Sequence, residues 1–329
     1  MDLNKIAKKL KTHVASDDDG KLEFASVGNL AFDLCLDGGI LFGHVVEFIG
    51  LSKSGKSLFL QQIIAQAQEK YDAVGVLVDR ENAYFPKRGE EMGVDNSKLL
   101  IAKPADTPTV LDAFQFIINS ISEIRKEDKD IYIAVAIDSI ASFGKDVALD
   151  KASPGRGAKS VHEGLRELLV HMDKRVMLLV ANQITYKVGV NFGDPRTTTA
   201  GTSMTYYSTI RIALEDKKRI IDEKRGDEVV GNWIGVEVIK TRLGPCGRTI
   251  YLRHLYKTGI DYFSGYARLL VKRGYLSPKN KEEFKKFKQV TVKYKDREFS
   301  EHDAEKIITE HPELKFEEYP EYNESTIGS

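Results

Sequence analysis

Residues 50–57 read Gly50-Leu51-Ser52-Lys53-Ser54-Gly55-Lys56-Ser57, directly after the largely apolar run His44-Val45-Val46-Glu47-Phe48-Ile49. The pattern predicts a strand, a loop bounded by glycines, and a helix that opens near Lys56 and runs on through Leu58 over the apolar stretch 58–67. The spacing G-x-x-x-x-G-K-S is that of a phosphate-binding loop. Glycines let successive backbone N–H groups curl around phosphate oxygens, and the following helix points its positive end at them. Residues 50–58 are therefore the expected cradle of a nucleoside triphosphate. Lys56 would reach the β- and γ-phosphates and Ser57 would hold Mg²⁺.

The chain has 329 residues, enough for a large domain and a small one. A hydrophobic content of 42% excludes wholesale disorder. No apolar run approaches the length of a membrane span. The stretch 1–12 is lysine-rich and amphipathic, with Leu3, Ile6, Ala7 and Leu10 on one helical face. It lacks the continuous apolar segment of a signal peptide, so a cytoplasmic address is expected. Cys35 and Cys246 are the only cysteines and read as small hydrophobes rather than a framework. The net charge is zero, so any contact with nucleic acid has to come from local sites.

Downstream of the loop, strands and helices alternate. Strands are expected over 73–79, 131–138 and 176–182, and helices over 107–126 and 159–173. Near-continuous apolar strands separated by helices imply a largely parallel sheet covered on both faces. After Tyr207 the spacing changes to that of hairpins, with strands over 209–214, 233–240 and 248–256, which fits an antiparallel extension of the same sheet. From about Ser264 a small unit is expected: a helix, a basic hairpin-like segment over 289–299, a helix over 301–310, and a Glu-rich tail over 310–324. Two long polar segments, 144–158 and 185–201, follow core strands. Long loops at carboxyl ends of strands are where open α/β sheets bind ligands.

Three further positions extend the constellation. Asp138 ends an apolar strand and is the expected second acidic element, holding Mg²⁺ through water. Glu81 follows the strand that ends Val78-Asp79, where a carboxylate can orient a water against the γ-phosphate. Its alternative reading is a solvated turn glutamate. Asn182-Gln183 opens the second long loop, and an amide there can bond the γ-phosphate while it is present, or simply cap the strand end.

These motifs resemble the RecA family of homologous-recombination ATPases. The resemblance rests on VEFIGLSKSGKS (46–57), AIDSIASF (136–143), VANQITYKVGVNFGDPRTTTAG (180–201), GVEVIKTR (235–242) and the lead-in SVGNLAFDLCLDGGILFGHV (26–45). It implies an α/β fold with a RecA-like P-loop ATPase core over 26–263, an arm for protomer contacts over 1–25, and a small C-terminal domain with an acidic tail over 264–329. The short arm leans toward a phage-encoded member rather than a bacterial one. The implied ligands are ATP and Mg²⁺. The implied partners are single-stranded DNA, homologous duplex DNA, further copies of the chain in a helical filament, and single-strand-binding and mediator proteins.

The resemblance also implies residue roles. Glu81 corresponds to the catalytic glutamate, and Gln183 to the glutamine that couples the γ-phosphate to the second loop. Lys240 and Arg242 stand where two basic residues reach the neighbour's triphosphate, with arginine replacing the usual lysine at the second. Tyr206 falls at an interface aromatic. His162, Arg166, Lys187, Val188, Arg196, Gly201 and Thr202 are the implied DNA contacts, with His162 and Arg166 one helical turn apart. Near the base, Phe85 and Arg88 replace the family's acidic residue and tyrosine, so stacking falls to Arg88 or Phe85, with Tyr256 beside them. The leading expectation is a DNA-dependent ATPase that forms filaments and exchanges strands. The alternatives are a ring-forming helicase motor of the same fold and a mediator without turnover.

Overall fold

The computed structural model describes residues 2–10, 12, 14, 22–143, 156–186, 196–198, 203–222, 226–285, 291–301 and 303–314. The chain opens on helix α1 (Leu3–Leu10), whose Leu3, Ile6 and Leu10 are exposed. A short antiparallel pair, β1 (Phe24–Ala25) and β2 (Ile40–Leu41), then brackets α2 (Leu30–Cys35). Asn29 caps α2 by accepting from the Phe32 N–H.

The sheet follows from alternation. Strand β3 (Val45–Gly50) is succeeded by α3 (Lys56–Tyr71), β4 (Val74–Asp79), α4 (Pro86–Glu91), β5 (Leu99–Ala102), α5 (Val110–Glu127), β6 (Ile133–Asp138), α6 (Arg156–His171) and β7 (Val176–Tyr186). Val46, Phe48, Ala134, Ala136, Met177, Leu179 and Ala181 point to one face and pack with Phe59 and Ile63 of α3. Their chain neighbours Val45, Ile133, Val135, Ile137, Val176, Leu178 and Val180 point to the other face and meet Ile117 of α5 and Leu165 of α6. Both parities are apolar because both faces are covered, as parallel strands require.

The remaining strands are β8 (Arg196–Thr198), then, after the short helix α7 (Ser203–Tyr207), β9 (Ile210–Asp222), β10 (Glu228–Lys240), β11 (Arg248–Leu255) and β12 (Gly259–Ile260). The sheet order is β12-β11-β10-β9-β3-β7-β6-β4-β5, with β8 paired to β7. Strands β9, β3, β7, β6, β4 and β5 run parallel, and β10, β11 and β12 join antiparallel. The mixed parallel and antiparallel α/β architecture expected from the sequence is observed.

Several boundaries differ from expectation for local reasons. The helix expected from residue 107 starts at Val110, because Thr109 and Asp112 close a capping box. Strand β9 runs to Asp222 and β10 starts at Glu228. The outer half of β9 is largely polar and exposed, so no apolar pattern marks it, whereas the start of β10 is half-buried through Val229, Val230 and Trp233. Strand β7 continues past Asn182 to Tyr186 and pairs with β8, through Ile184↔Thr198, Thr185↔Thr197 and Tyr186↔Arg196. The β-branched Ile184, Thr185, Thr197 and Thr198 suit such a ladder. Residues 185–186 and 196–198 of the second long segment thus belong to a ribbon.

Beyond β12, helix α8 (Tyr266–Lys272), β13 (Ser277–Pro278), α9 (Lys281–Lys285), β14 (Thr291–Tyr294), β15 (Arg297–Ser300) and α10 (Ala304–Glu310) build a small three-stranded unit. Tyr266, Leu270, Val292, Phe299 and Ile307 belong to the same apolar cluster as Phe48 and Phe59, so the unit is packed continuously onto the core. Arg268 and Glu301 pair at 2.7 Å inside it. The basic segment here is answered by acids: Lys279 and Lys293 meet Glu298, Lys295 meets Glu313, and Arg297 meets Glu310.

Two predictions concern this framework. A Cβ on Gly164 of α6 would lie 2.0 Å from the buried Phe114 ring of α5. Gly164→Ala should therefore cost about 1–3 kcal/mol in chemical denaturation, an overpacking penalty. An unshifted midpoint would show that the helices have room. The second concerns Asp33, which accepts from the Val27 N–H at 2.8 Å and the Ser26 hydroxyl at 2.5 Å. Burial raises its pKa from 3.8 to about 7, against the pull of those bonds and of Lys70. Between these values the folded chain holds a proton that the unfolded chain has lost, so this group's contribution to stability falls as pH rises through the window. Asp33→Asn can still accept from Val27 and donate to Ser26. Its melting temperature should rise relative to wild type between about pH 4 and 7, and parallel profiles would refute the assignment.

Candidate nucleotide-binding site

The loop from β3 to α3 can only be built with its glycines. A Cβ on Gly50 would meet the Ser54 Oγ at 2.2 Å and the Leu214 carbonyl at 2.7 Å. Gly55 has φ of 97° and would press on Ile234. Lys53 also takes a left-handed conformation, with φ of 66°. Lys56 opens α3, and its ammonium folds back to donate to the carbonyls of Gly50 (3.1 Å) and Leu51 (2.8 Å). Burial lowers its pKa, opposed by Asp138 and Glu81. The Ser54 hydroxyl is buried without a partner among the described residues.

Strand register brings the other candidates to the same edge. Gly50 lies opposite Gln183, and Asp79 opposite Asp138. A cleft of about 240 Å³ is lined by residues 52–58 together with Glu81, Asp138, Ser139 and Gln183. Asp138 is buried, and its pKa is raised to about 6. Burial is the main cause, with Glu81 and Asp79 adding to it, while the Ser57 hydroxyl and Lys56 pull the other way. Glu81 Oε1 accepts from the hydroxyls of Ser139 (2.8 Å) and Ser142 (3.1 Å). The turn that carries Glu81 is pinned by Asp79, whose carboxylate accepts from the Ala83 and Tyr84 N–H groups and from Lys103 Nζ at 2.8 Å. Sequence reasoning assigned no role to Asp79, Ser139, Ser142 or Lys103. The signal available was the strand-ending Asp79 next to Glu81 and the two serines within four residues of Asp138.

Arg88 and Tyr256, expected near the base, come together across the fold. Arg88 Nη2 donates to the Tyr256 carbonyl at 2.6 Å and Nη1 donates to Glu91 at 3.0 Å. The Arg88 side chain expected to stack on a base is thus held by oxygens, while Phe85 lies exposed beside it.

Behind the cleft lies a buried polar group that sequence reasoning missed. Glu47, read there as part of an apolar run, is fully buried in mid-β3. Its Oε1 accepts from Asn182 Nδ2 at 2.7 Å and its Oε2 from Arg211 Nε at 2.5 Å. Asn182 in turn accepts from the Gln183 N–H at 2.9 Å.

Lys240 is not brought to this chain's own cleft. It lies opposite Arg211, which pairs with Glu47, whereas Gly50 lies opposite Leu214 at the other edge. Its Nζ donates to the carbonyls of Thr205 (2.7 Å) and Ser208 (2.6 Å), at the end of α7. Arg242 follows two residues on, and Tyr206 on α7 is 74% exposed. On α6, His162 and Arg166 are both exposed, and the His162 ring meets the Tyr207 hydroxyl at 3.3 Å. Arg196 sits in β8, described by its backbone alone. Lys187, Val188, Gly201 and Thr202 lie outside the described residues, as do most of the first long segment and the acidic tail.

Comparison with known proteins agrees with this arrangement. The family model of the RecA N-terminal domain matches residues 4–261. Protein RecA of Marinobacter nauticus is 32% identical over 257 residues, covering 76% of this chain and 70% of the relative. Protein RecA of Colwellia psychrerythraea is 31% identical over 261 residues, covering 78% and 72%. Protein RecA of Sinorhizobium medicae is 32% identical over 266 residues, covering 79% and 70%. With the phosphate loop, the acidic edge and the sheet order in place, this chain belongs to the RecA family.

Proposed function

We propose that the chain is a DNA-dependent ATPase that polymerises on single-stranded DNA, pairs it with homologous duplex and exchanges strands. The observation that carries this reading is the convergence of Lys56, Ser57, Glu81, Asp138 and Gln183 on one sheet edge, with Gln183 opening the β7–β8 ribbon. Residues 50–58 would hold the triphosphate through backbone N–H groups and the Lys56 ammonium. To do so, Lys56 exchanges two carbonyls for phosphate oxygens, a charge-assisted and stronger bond. Ser57 and Asp138 are hard oxygen donors facing one another, which fits Mg²⁺. Among the described residues no cluster of three His, Cys, Asp or Glu side chains stands ready to hold a metal, so the phosphates would complete its shell. The ion would neutralise charge on the β- and γ-oxygens.

Glu81 would orient the attacking water. Its carboxylate is already aimed by Ser139 and Ser142, and Asp79 with Lys103 fixes the turn beneath it. Gln183 lines the same cleft, and its side chain would bond the γ-phosphate and so bias the ribbon. His162, Arg166 and the loop residues Lys187, Val188, Arg196, Gly201 and Thr202 would grip the strand. Lys240 and Arg242, at the edge away from the cleft, would serve the neighbour's nucleotide, with Tyr206 between subunits. Such head-to-tail use of two different faces generates a helical polymer. Residues 1–25 would make further protomer contacts, and the 264–329 unit would help to receive duplex DNA. Among the described residues no helix is long and apolar enough to cross a membrane. Work on DNA in the cytoplasm, beside single-strand-binding and mediator proteins, fits this reading.

Three variants test it. Lys56→Ala should weaken ATP-dependent binding to single-stranded DNA by about tenfold or more, read by fluorescence anisotropy. Wild-type affinity would break the link between nucleotide and DNA. Glu81→Gln should bind ATP normally and hydrolyse it about 100-fold more slowly or worse. Normal turnover would mean that another group positions the water. Gln183→Ala should keep nucleotide binding and lose about 5- to 100-fold of the stimulation by DNA. Undiminished stimulation would remove Gln183 from the switch. Electron microscopy with ATP and single-stranded DNA should show helical filaments, and closed rings would favour a motor instead.

A further inference from the structure

Glu47 is buried at the middle of the sheet, and its two carboxylate oxygens face opposite ways. Oε1 is held by Asn182, whose own oxygen takes the peptide N–H of Gln183. Oε2 is held by Arg211, which lies opposite Lys240 in the strand register. Burial, with Arg242 and Arg211 close by, lowers the Lys240 pKa, and Glu47 is the acid that opposes this. One carboxylate thus pairs with Arg211 and opposes the positive field on Lys240, while also fixing the amide at the near edge.

As a device for stability alone this is a poor choice, because desolvating both charges consumes most of what their attraction gains. Its geometric property is different. A side chain with two oxygens bonded in opposite directions cannot satisfy one partner in a new place without changing its bond to the other. We propose that Glu47 is a positioning residue that ties the nucleotide-facing end of β7 in one subunit to the basic cluster that the same subunit offers to its neighbour's nucleotide. This rests on the proposed role of Lys240 and Arg242 across the subunit boundary. It adds that each copy's two half-sites are set by a single buried group.

The claim has a quantitative signature. In a head-to-tail polymer every nucleotide lies between two copies, so each copy serves two sites with different residues. Gln183→Ala should spoil only the site built on its own phosphate loop, and Lys240→Ala only the neighbour's. In filaments on single-stranded DNA that mix a fraction x of either variant with wild type, ATP turnover should fall as about 1 − x. Glu47→Gln should spoil both sites, so turnover falls as about (1 − x)², and an equal mixture retains about one quarter rather than about one half. KM for ATP at the surviving sites should stay within about twofold, because the phosphate loop is untouched. Asn182→Ser and Arg211→Lys each loosen one arm, and because the carboxylate cannot shift at one partner without shifting at the other, each alone should leave the linear law for the squared one.

A folded Glu47→Gln copy that follows the linear law overturns the inference while leaving the proposed function standing. Unchanged turnover in Lys240→Ala removes the cross-boundary role, and the inference falls with it. A Glu47→Gln copy that circular dichroism shows to be unfolded would merely dilute the filament. The decision then passes to Asn182→Ser and Arg211→Lys taken singly, which keep the carboxylate and a cation beside it. Each of them must give the squared law for the inference to stand, and the linear law in both overturns it.

Discussion

Parallel strands end at the same edge, and every proposed step depends on that constraint. Strands β3, β4, β6 and β7 reach the carboxyl edge on largely apolar runs buried on both faces, where the core fixes their register. The residue at which each apolar run stops is then held as firmly as the core itself. Gly50, Asp79, Asp138 and Gln183 occupy such positions on four different strands. Glu81 extends the set through a turn whose N–H groups are tied to Asp79 and Asp138. The site needs little flexible chain to assemble it, so its donors and acceptors are in place before a ligand arrives.

The acidic edge and the basic loop define each other electrostatically. Asp138, Glu81 and Asp79 crowd a region that burial already makes hostile to charge, with Lys56 facing Asp138 and Glu81 and Lys103 paired to Asp79. A divalent ion and a phosphate chain are complementary to this mixture, one answering the carboxylates and the other the ammonium and the loop N–H groups. The C-terminal unit behaves differently. Its Lys279, Lys293, Lys295 and Arg297 are exposed and already share carboxylates. Such pairs are weak and salt-sensitive, so a polyanion could displace them at modest cost.

Much of this was legible from residue order. The phosphate loop reads directly, because its chemistry needs glycines and a lysine at fixed spacing. The sheet reads from runs such as Ile133–Asp138, because only coverage on both faces tolerates apolar residues at every position. What stayed hidden was contact between distant residues. Nothing near Glu47 in the chain announces Asn182 or Arg211, separated from it by 135 and 164 residues. Arg88 and Tyr256, 168 residues apart, were each marked as base contacts, yet their mutual hydrogen bond was invisible. The outer half of β9 carries no periodic apolar signal, since backbone pairing with β10 extends it into solvent. Short elements such as β5 and α2 fell below the length at which pattern outweighs chance.

Lys240 carries one more implication. An ammonium has three protons, and two of them are committed to the carbonyls of Thr205 and Ser208. A free lysine surrenders about 1.5–2 kcal/mol of rotational freedom when its tip is immobilised. Here that loss has already been met inside the lone molecule, and the last N–H remains available to an incoming oxygen. In the proposed polymer, docking of the next copy would begin with a pre-aimed tooth rather than a waving tether, and the same two carbonyls that anchor the tooth lie beside Tyr206 on the short helix.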